Sequence, residues 1–263
     1  MSYIDYNVAF ALFLTVLAGI STGIGSLTAL FAKRTNTKLL SLSLGFSAGV
    51  MLYVSMVEIF AKSKTFLSGA LSEASGYRIC VISFFLGIIL IALIDFFLPG
   101  AENDIGSYNE KKSGRLKRMG LVTALTIGIH NFPEGMVTFT SALKDPHLGI
   151  AIALAIAIHN IPEGIATSMP IYYAEGNRKK AFFISFLSGM TEPAGAVIGY
   201  LLLRPILNDV TFGVIFGAIS GIMVFISIEE LLPMAREYEK SKITIVGVII
   251  GMLVMAVSLL LFV

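Results

Sequence analysis

The feature that most constrains this chain is the length of its apolar runs. Residues 8–32, 79–98 and 243–263 pass with almost no charged side chain. A helix crosses the roughly 30 Å hydrocarbon core of a bilayer with about 20 predominantly apolar residues. In lipid the backbone must satisfy its own hydrogen bonds, so runs of this kind are helices. They are too long and too evenly apolar for barrel strands, which alternate. The 263 residues are 56% hydrophobic and 14% charged, against about 25% charged in soluble domains. Reading the runs in order predicts an all-α polytopic membrane protein. Its eight spans fall at 8–32, 38–60, 79–98, 120–142, 147–173, 181–203, 209–233 and 243–263, within a single domain, 1–263. The first run is expected to be a true span. Asp5 precedes it and Lys33 and Arg34 follow it, the reverse of a secretory signal. Cys80 stands alone, so neither a disulfide framework nor a thiolate cage can be built. A net charge of +2 gives no footing for nucleic acid.

The basic residues orient these spans. Lys and Arg collect in cytoplasmic loops. With the amino terminus outside, the inner loops hold Lys33, Arg34, Lys38, Lys111, Lys112, Arg115, Lys117, Arg118, Arg178, Lys179, Lys180, Arg236, Lys240 and Lys242. The outer loops hold only Lys62, Lys64, Arg78, Lys144 and Arg204. Both termini are therefore expected outside the cell membrane. Residues 99–119 read as a polar cytoplasmic linker between the third and fourth helices, without histidine.

Two internal echoes follow. His130-Asn131-Phe132-Pro133-Glu134-Gly135 recurs as His159-Asn160-Ile161-Pro162-Glu163-Gly164 in the next span, which must run antiparallel. More faintly, Gly45, Gly49, Met51, Ser55 and Glu58 of the second span recur at equal spacing as Gly217, Gly221, Met223, Ser227 and Glu230 of the seventh. These two spans also run in opposite senses. The pattern predicts an inverted repeat, three helices, a central pair, then three helices, a build that places substrate near the midplane on interrupted helices. Pro133 and Pro162 are expected to supply the interruptions, since each removes a backbone donor and frees the carbonyl of Ile129 or Ile158.

The chemistry lies in what the spans bury. They hold Glu58, Asp95, Glu134, Glu163, Glu192, Glu229 and Glu230, while Lys38, Arg204 and Asp209 stand only at the boundaries. Charges inside a bilayer are costly and usually functional, and a bound cation would relieve several carboxylates together. Within each motif His and Glu stand four residues apart, on one helical face. Two such helices in contact offer two imidazoles, two carboxylates and two amide oxygens. That donor set suits Zn²⁺, Fe²⁺, Mn²⁺ and Co²⁺, whereas Ca²⁺ takes oxygen ligands alone. Glu192, beside Pro193 in the sixth span, adds a further ligand. The sequence thus points to a membrane carrier of divalent transition metals, with metal as cargo, no prosthetic group and the bilayer as partner. The oligomeric state stays open, a homodimer included.

Plainer readings stand beside this one. A helical histidine often serves only the core, but the duplicate at His159 argues for ligation. Met51 and Met223 read first as packing. Glu58, Asp95, Glu229 and Glu230, near helix ends, read as solvated or as pathway and gate residues, and His147 as an ordinary loop residue. A zinc-dependent intramembrane hydrolase would use similar donors, yet the His-Glu-x-x-His arrangement is missing. A channel-like pore would share the ligands. No nucleotide-binding motif is present, so ATP is not the direct driver.

The paired His-Asn-x-Pro-Glu-Gly motifs, the Glu192-Pro193 step and the run Glu229-Glu230-Leu231-Leu232-Pro233 together resemble the ZIP (ZRT/IRT-like) family, and within it the bacterial ZupT/GufA branch. The resemblance covers essentially the whole chain. It implies uptake of zinc and related metals such as Fe²⁺, Mn²⁺, Co²⁺ and Cd²⁺ into the cytoplasm, by eight helices with both termini outside and one bundle sliding against another. It also implies a two-metal site. His130, Glu134, His159 and Glu163 would form one position, with Met51 near it. Asn131, Asn160 and Glu192 would form the second, and Glu134 and Glu163 would bridge the two. The histidine-rich loop that many members carry between helices three and four is missing, and the second motif has His-Asn where some relatives have Gln-Asp.

Overall fold

Apolar runs in lipid leave the backbone no partner but itself, and every described element is helical. The computed structural model describes residues 3–33, 35–97, 108–203, 208–239 and 242–260. Eight long helices follow in order. α1 is Tyr3–Ser26, continued after a break at Leu27 by the turn Thr28–Phe31; α2 is Thr37–Ala70; α3 is Glu73–Phe97; α4 is Tyr108–Lys144. α5 is Pro146–Glu175; α6 is Arg178–Ile198, extended by a wider turn at Gly199–Leu203; α7 is Asp209–Tyr238; α8 is Ile243–Leu260.

Helix ends carry orphan amides, and short polar side chains cap them. Asn36 opens α2 by accepting from Leu39 N at 3.0 Å, Asn177 opens α6 from Lys180 N at 3.0 Å, and Asn208 opens α7 from Thr211 N at 3.0 Å. Asp145 alone separates α4 from α5 and accepts from His147 N at 2.9 Å, with Pro146 at the first helical position. Gly176, at φ 73°, ends α5. Only glycine holds that left-handed conformation without strain.

Seven of these helices are long and apolar enough to cross a membrane. The eighth, α4, falls short because His130, Asn131 and Glu134 and its threonines dilute its apolar stretch. The helices outrun the predicted spans. α2 continues to Ala70, α3 begins at Glu73, α4 at Tyr108 and α7 ends at Tyr238. Apolar runs mark what lipid covers, whereas the helix persists into the polar zone until a cap or glycine stops it. Of the expected linker 99–119, residues 108–119 are helical; 99–107 lie outside the described residues, as do Arg34, Arg204 and Lys240.

Two groups of helices pack tightly within themselves, α1 with α4, α5 and α6, and α2 with α3, α7 and α8. They meet along a thinner seam, mainly α2 against α5, with narrower strips of α4 against α7 and α8 against α5. Both helices of the fainter sequence echo widen into π-helical turns, at Val54–Ile59 in α2 and Ile226–Leu231 in α7. Glu58 and Glu230 sit at the fifth position of each.

Candidate metal centre

α4 and α5 are joined by one residue and packed along their length, so their motifs meet in opposite senses. One turn separates His130 from Glu134 on α4 and His159 from Glu163 on α5. The four side chains converge. His159 Nε2 lies 3.1 Å from Glu134 Oε2, His130 Nε2 lies 3.5 Å from the same oxygen, and His130 Nε2 lies 3.7 Å from Glu163 Oε1. The imidazole centroids are 6.3 Å apart. One donor atom from each of His130, Glu134 and His159 falls within 4.8 Å of the others, the spacing of ligands around a common ion. His130, His159 and Glu163 are 1% exposed, Glu134 3%, and Asn131, Asn160 and Glu192 0%.

Atoms without partners show what the cluster could hold. Both nitrogens of His130, Nδ1 of His159, both oxygens of Glu163, Oε1 of Glu192 and the Oδ1 atoms of Asn131 and Asn160 are buried with no hydrogen-bond partner among the described residues. Buried polar atoms are nearly always satisfied. The amide nitrogens, by contrast, are engaged. Asn160 Nδ2 donates to Ala18 O on α1 at 3.0 Å and to Glu192 Oε2 on α6 at 2.9 Å, and Asn131 Nδ2 to Ser188 O on α6 at 3.4 Å. With nitrogens spent on neighbouring helices, the oxygens are the atoms left for a cation. Imidazole nitrogens, carboxylate oxygens and amide oxygens together form a borderline-to-hard set that fits a first-row divalent metal.

The motif glycines set how closely these helices approach. A Cβ on Gly135 would overlap Glu192 O, and one on Gly195 would overlap Phe132 O, so α4 and α6 touch backbone to backbone. Likewise Gly164 lies against Thr22 O and Gly25 against Ile161 O, which seats α5 on α1. Nothing in the sequence pointed to α1 as a wall of the site; its role rests on contacts between residues more than 100 positions apart. The expected interruptions at Pro133 and Pro162 are not breaks. Both helices run through them, since one lost bond is tolerable where neighbouring helices support the turn. Pro162 O itself accepts from Ser47 Oγ of α2 at 2.9 Å.

Among the described residues the remaining candidates make no hydrogen bond or ion pair with the four clustered side chains. Met51 is buried on α2 one turn beyond Ser47, and Met223 is buried in α7. Glu58, partly buried, pairs with Lys62 at 2.7 Å. Asp95 and Glu230 are both held by Arg118, which the distribution of basic residues marks only as a loop cation, and Glu229 is exposed. His147 is exposed in the first turn of α5 rather than in a loop.

The family model described as "ZIP Zinc transporter" matches residues 99–259. Among curated proteins the chain is 59% identical to the "Zinc transporter ZupT" of Streptococcus mutans serotype c, over 96% of this chain and 97% of that protein. It is 56% identical to the protein of the same name from Clostridium perfringens, over 98% and 97%, and 55% to that from Lysinibacillus sphaericus, over 98% and 100%. With matches of this extent over a helical bundle whose doubled motif converges on one buried cluster, the chain belongs to the ZIP family of zinc transporters.

Proposed function

We propose that this chain is a secondary carrier that moves Zn²⁺, and with it Fe²⁺, Mn²⁺, Co²⁺ and Cd²⁺, across the cell membrane into the cytoplasm. The observation that carries this reading is the meeting of His130, Glu134, His159 and Glu163, buried, with both nitrogens of His130, Nδ1 of His159 and both oxygens of Glu163 unpartnered. The relatives' name, zinc transporter, supports zinc as cargo. The family is one of transporters, so the hydrolase reading falls away. Complete burial of the ligands favours a carrier over an open pore, because such a site must be uncovered to load and to release.

In this reading all eight helices cross the bilayer, both termini lie outside, and α1–α3 and α6–α8 are inverted copies around α4 and α5. The glycine contacts support that pairing. The α4–α6 contact of Gly135 and Gly195 has its counterpart in the α5–α1 contact of Gly164 and Gly25. In the other group, Gly49 against Val248 and Gly251 against Phe46 join α2 to α8, while Gly221 against Phe84 and Gly87 against Ala218 join α7 to α3. Within each group one contact becomes the other when α1 is exchanged for α6, α2 for α7, α3 for α8 and α4 for α5, in unchanged chain order.

The site holds two metals. His130, Glu134, His159 and Glu163 form the first position, with Met51 beside it. Asn131, Asn160 and Glu192 form the second through their free oxygens, and Glu134 and Glu163 bridge the two. Glu58 marks the outer end of the route, and Asp95, Glu229 and Glu230 its inner end. The protein replaces the ion's water with fixed donors, neutral imidazoles and anionic carboxylates, so binding releases any protons those groups carry.

The test is ⁶⁵Zn uptake into proteoliposomes. Glu134→Ala and His130→Ala are expected to reduce uptake to the level of empty vesicles while the protein stays monodisperse. Uptake equal to the parent chain in either variant overturns the assignment.

A further inference from the structure

A metal held by side chains that are themselves 0–3% exposed can reach neither face unless helices part, and the seam between the two helix groups is where parting costs least packing. We propose that Arg118 gates this seam by latching α4 to α3 and α7 at the end away from α5's first turn. The inference rests on the carrier reading above and adds a residue that no part of that reading uses.

The geometry singles Arg118 out. Its Nη2 donates to the Asp95 carboxylate and, at 2.9 Å, to the Asp95 backbone oxygen, both on α3, and its Nη1 donates to Glu230 Oε1 on α7 at 3.4 Å. All three side chains are partly buried, where charge-assisted hydrogen bonds hold better than in open water. One guanidinium thus ties the group that carries the metal ligands to two helices of the opposite group, α3 and α7. Its neighbours behave differently. Lys117 reaches Glu175 at 2.8 Å, within its own group, and Arg115 reaches Glu237 on α7 at 3.4 Å from an exposed position, where such a pair is worth little.

The lever is rigid. Arg118 and His130 stand twelve residues apart on one unbroken helix, about 18 Å along its axis. A displacement of α4 by a single turn, about 5 Å, takes contacts of hydrogen-bond length wholly out of range. The site therefore cannot shift past α3 and α7 while the latch holds. The echo of Glu230 makes the contrast. Glu58, at the equivalent place on α2, is paired with Lys62 of the same helix at 2.7 Å, an ion pair that ties α2 to itself and crosses no seam. Among the described residues the charge latch is thus one-sided, and in the proposed orientation it closes the cytoplasmic end.

The experiment reads the seam directly. Ile226, one turn from Glu230 and fully buried, is replaced by cysteine, and its labelling by an impermeant maleimide is followed in detergent and in proteoliposomes; the native Cys80 is buried. Arg118→Gln is expected to raise the labelling rate about tenfold, the factor that loss of one set of charge-assisted bonds implies. Arg118→Lys is expected to fall between, and zinc affinity at the ligand cluster to stay that of the parent. Should Arg118→Gln not fold, Glu230→Gln and Asp95→Asn remove the same contacts from the other side and are expected to act in the same direction. Labelling and uptake rates equal to the parent in monodisperse variants overturn the latch. A parent chain that carries no zinc would overturn the carrier reading instead, and the labelling result would still decide the role of Arg118.

Discussion

The site residues share unmade hydrogen bonds. Each buried donor or acceptor left alone costs about 1–3 kcal/mol, and eight such atoms on the motif residues and Glu192, three of them carboxylate oxygens, call for a shared partner. Glu192 separates the two proposed positions. Glu192→Gln keeps an oxygen for Asn160 to donate to but removes a negative ligand of the second position. Metal analysis of purified protein is expected to give two ions per chain for the parent and one for this variant; two in both would refute the second position. His130, Glu134, His159 and Glu163 were legible because a doubled six-residue motif states its own partner. Asn160's bond to Ala18 O, Ser47's to Pro162 O and the grip of Arg118 on Asp95 were not. They join residues that share no spacing, and only the packed bundle brings them together.

At the scale of helices, backbone approach matters more than side-chain volume. Gly135 and Gly164 let α4 and α5 lie directly on α6 and α1, so a methyl group there has a carbonyl in its way rather than a side chain that can turn aside. Gly135→Ala is expected to lower stability by about 1–3 kcal/mol, in the range of overpacked cores, measured as a fall in Tm in detergent. Gly69→Ala, in a helical position with open space around it, serves as the control and is expected to be neutral or slightly stabilising. Equal Tm values for the two variants would refute the close-approach account. Apolar run length located all eight helices but clipped their ends, because it reads where lipid stops and not where capping residues such as Asn36, Asn177 and Asn208 stop the backbone. The same measure undervalues α4 because the residues that give the helix its chemistry are polar.

For the whole molecule, the distribution of basic residues and the position of the latch make one testable picture. Cysteines placed at exposed Ser72, between α2 and α3, and at exposed Lys179, at the start of α6, should differ in intact cells. An impermeant maleimide is expected to label Ser72→Cys at once and Lys179→Cys only after permeabilisation; the opposite result would invert the topology and move the latch to the outer face. Two echoes in the sequence suggest the inverted pairing proposed above, and the glycine contacts add backbone-level support to it. Because α4 rests on α6 and α5 on α1 without intervening side chains, these four helices hold the ligand cluster as one body. For the carrier proposed above, a cage that moves as one body offers its ion the same donors from either side of the membrane.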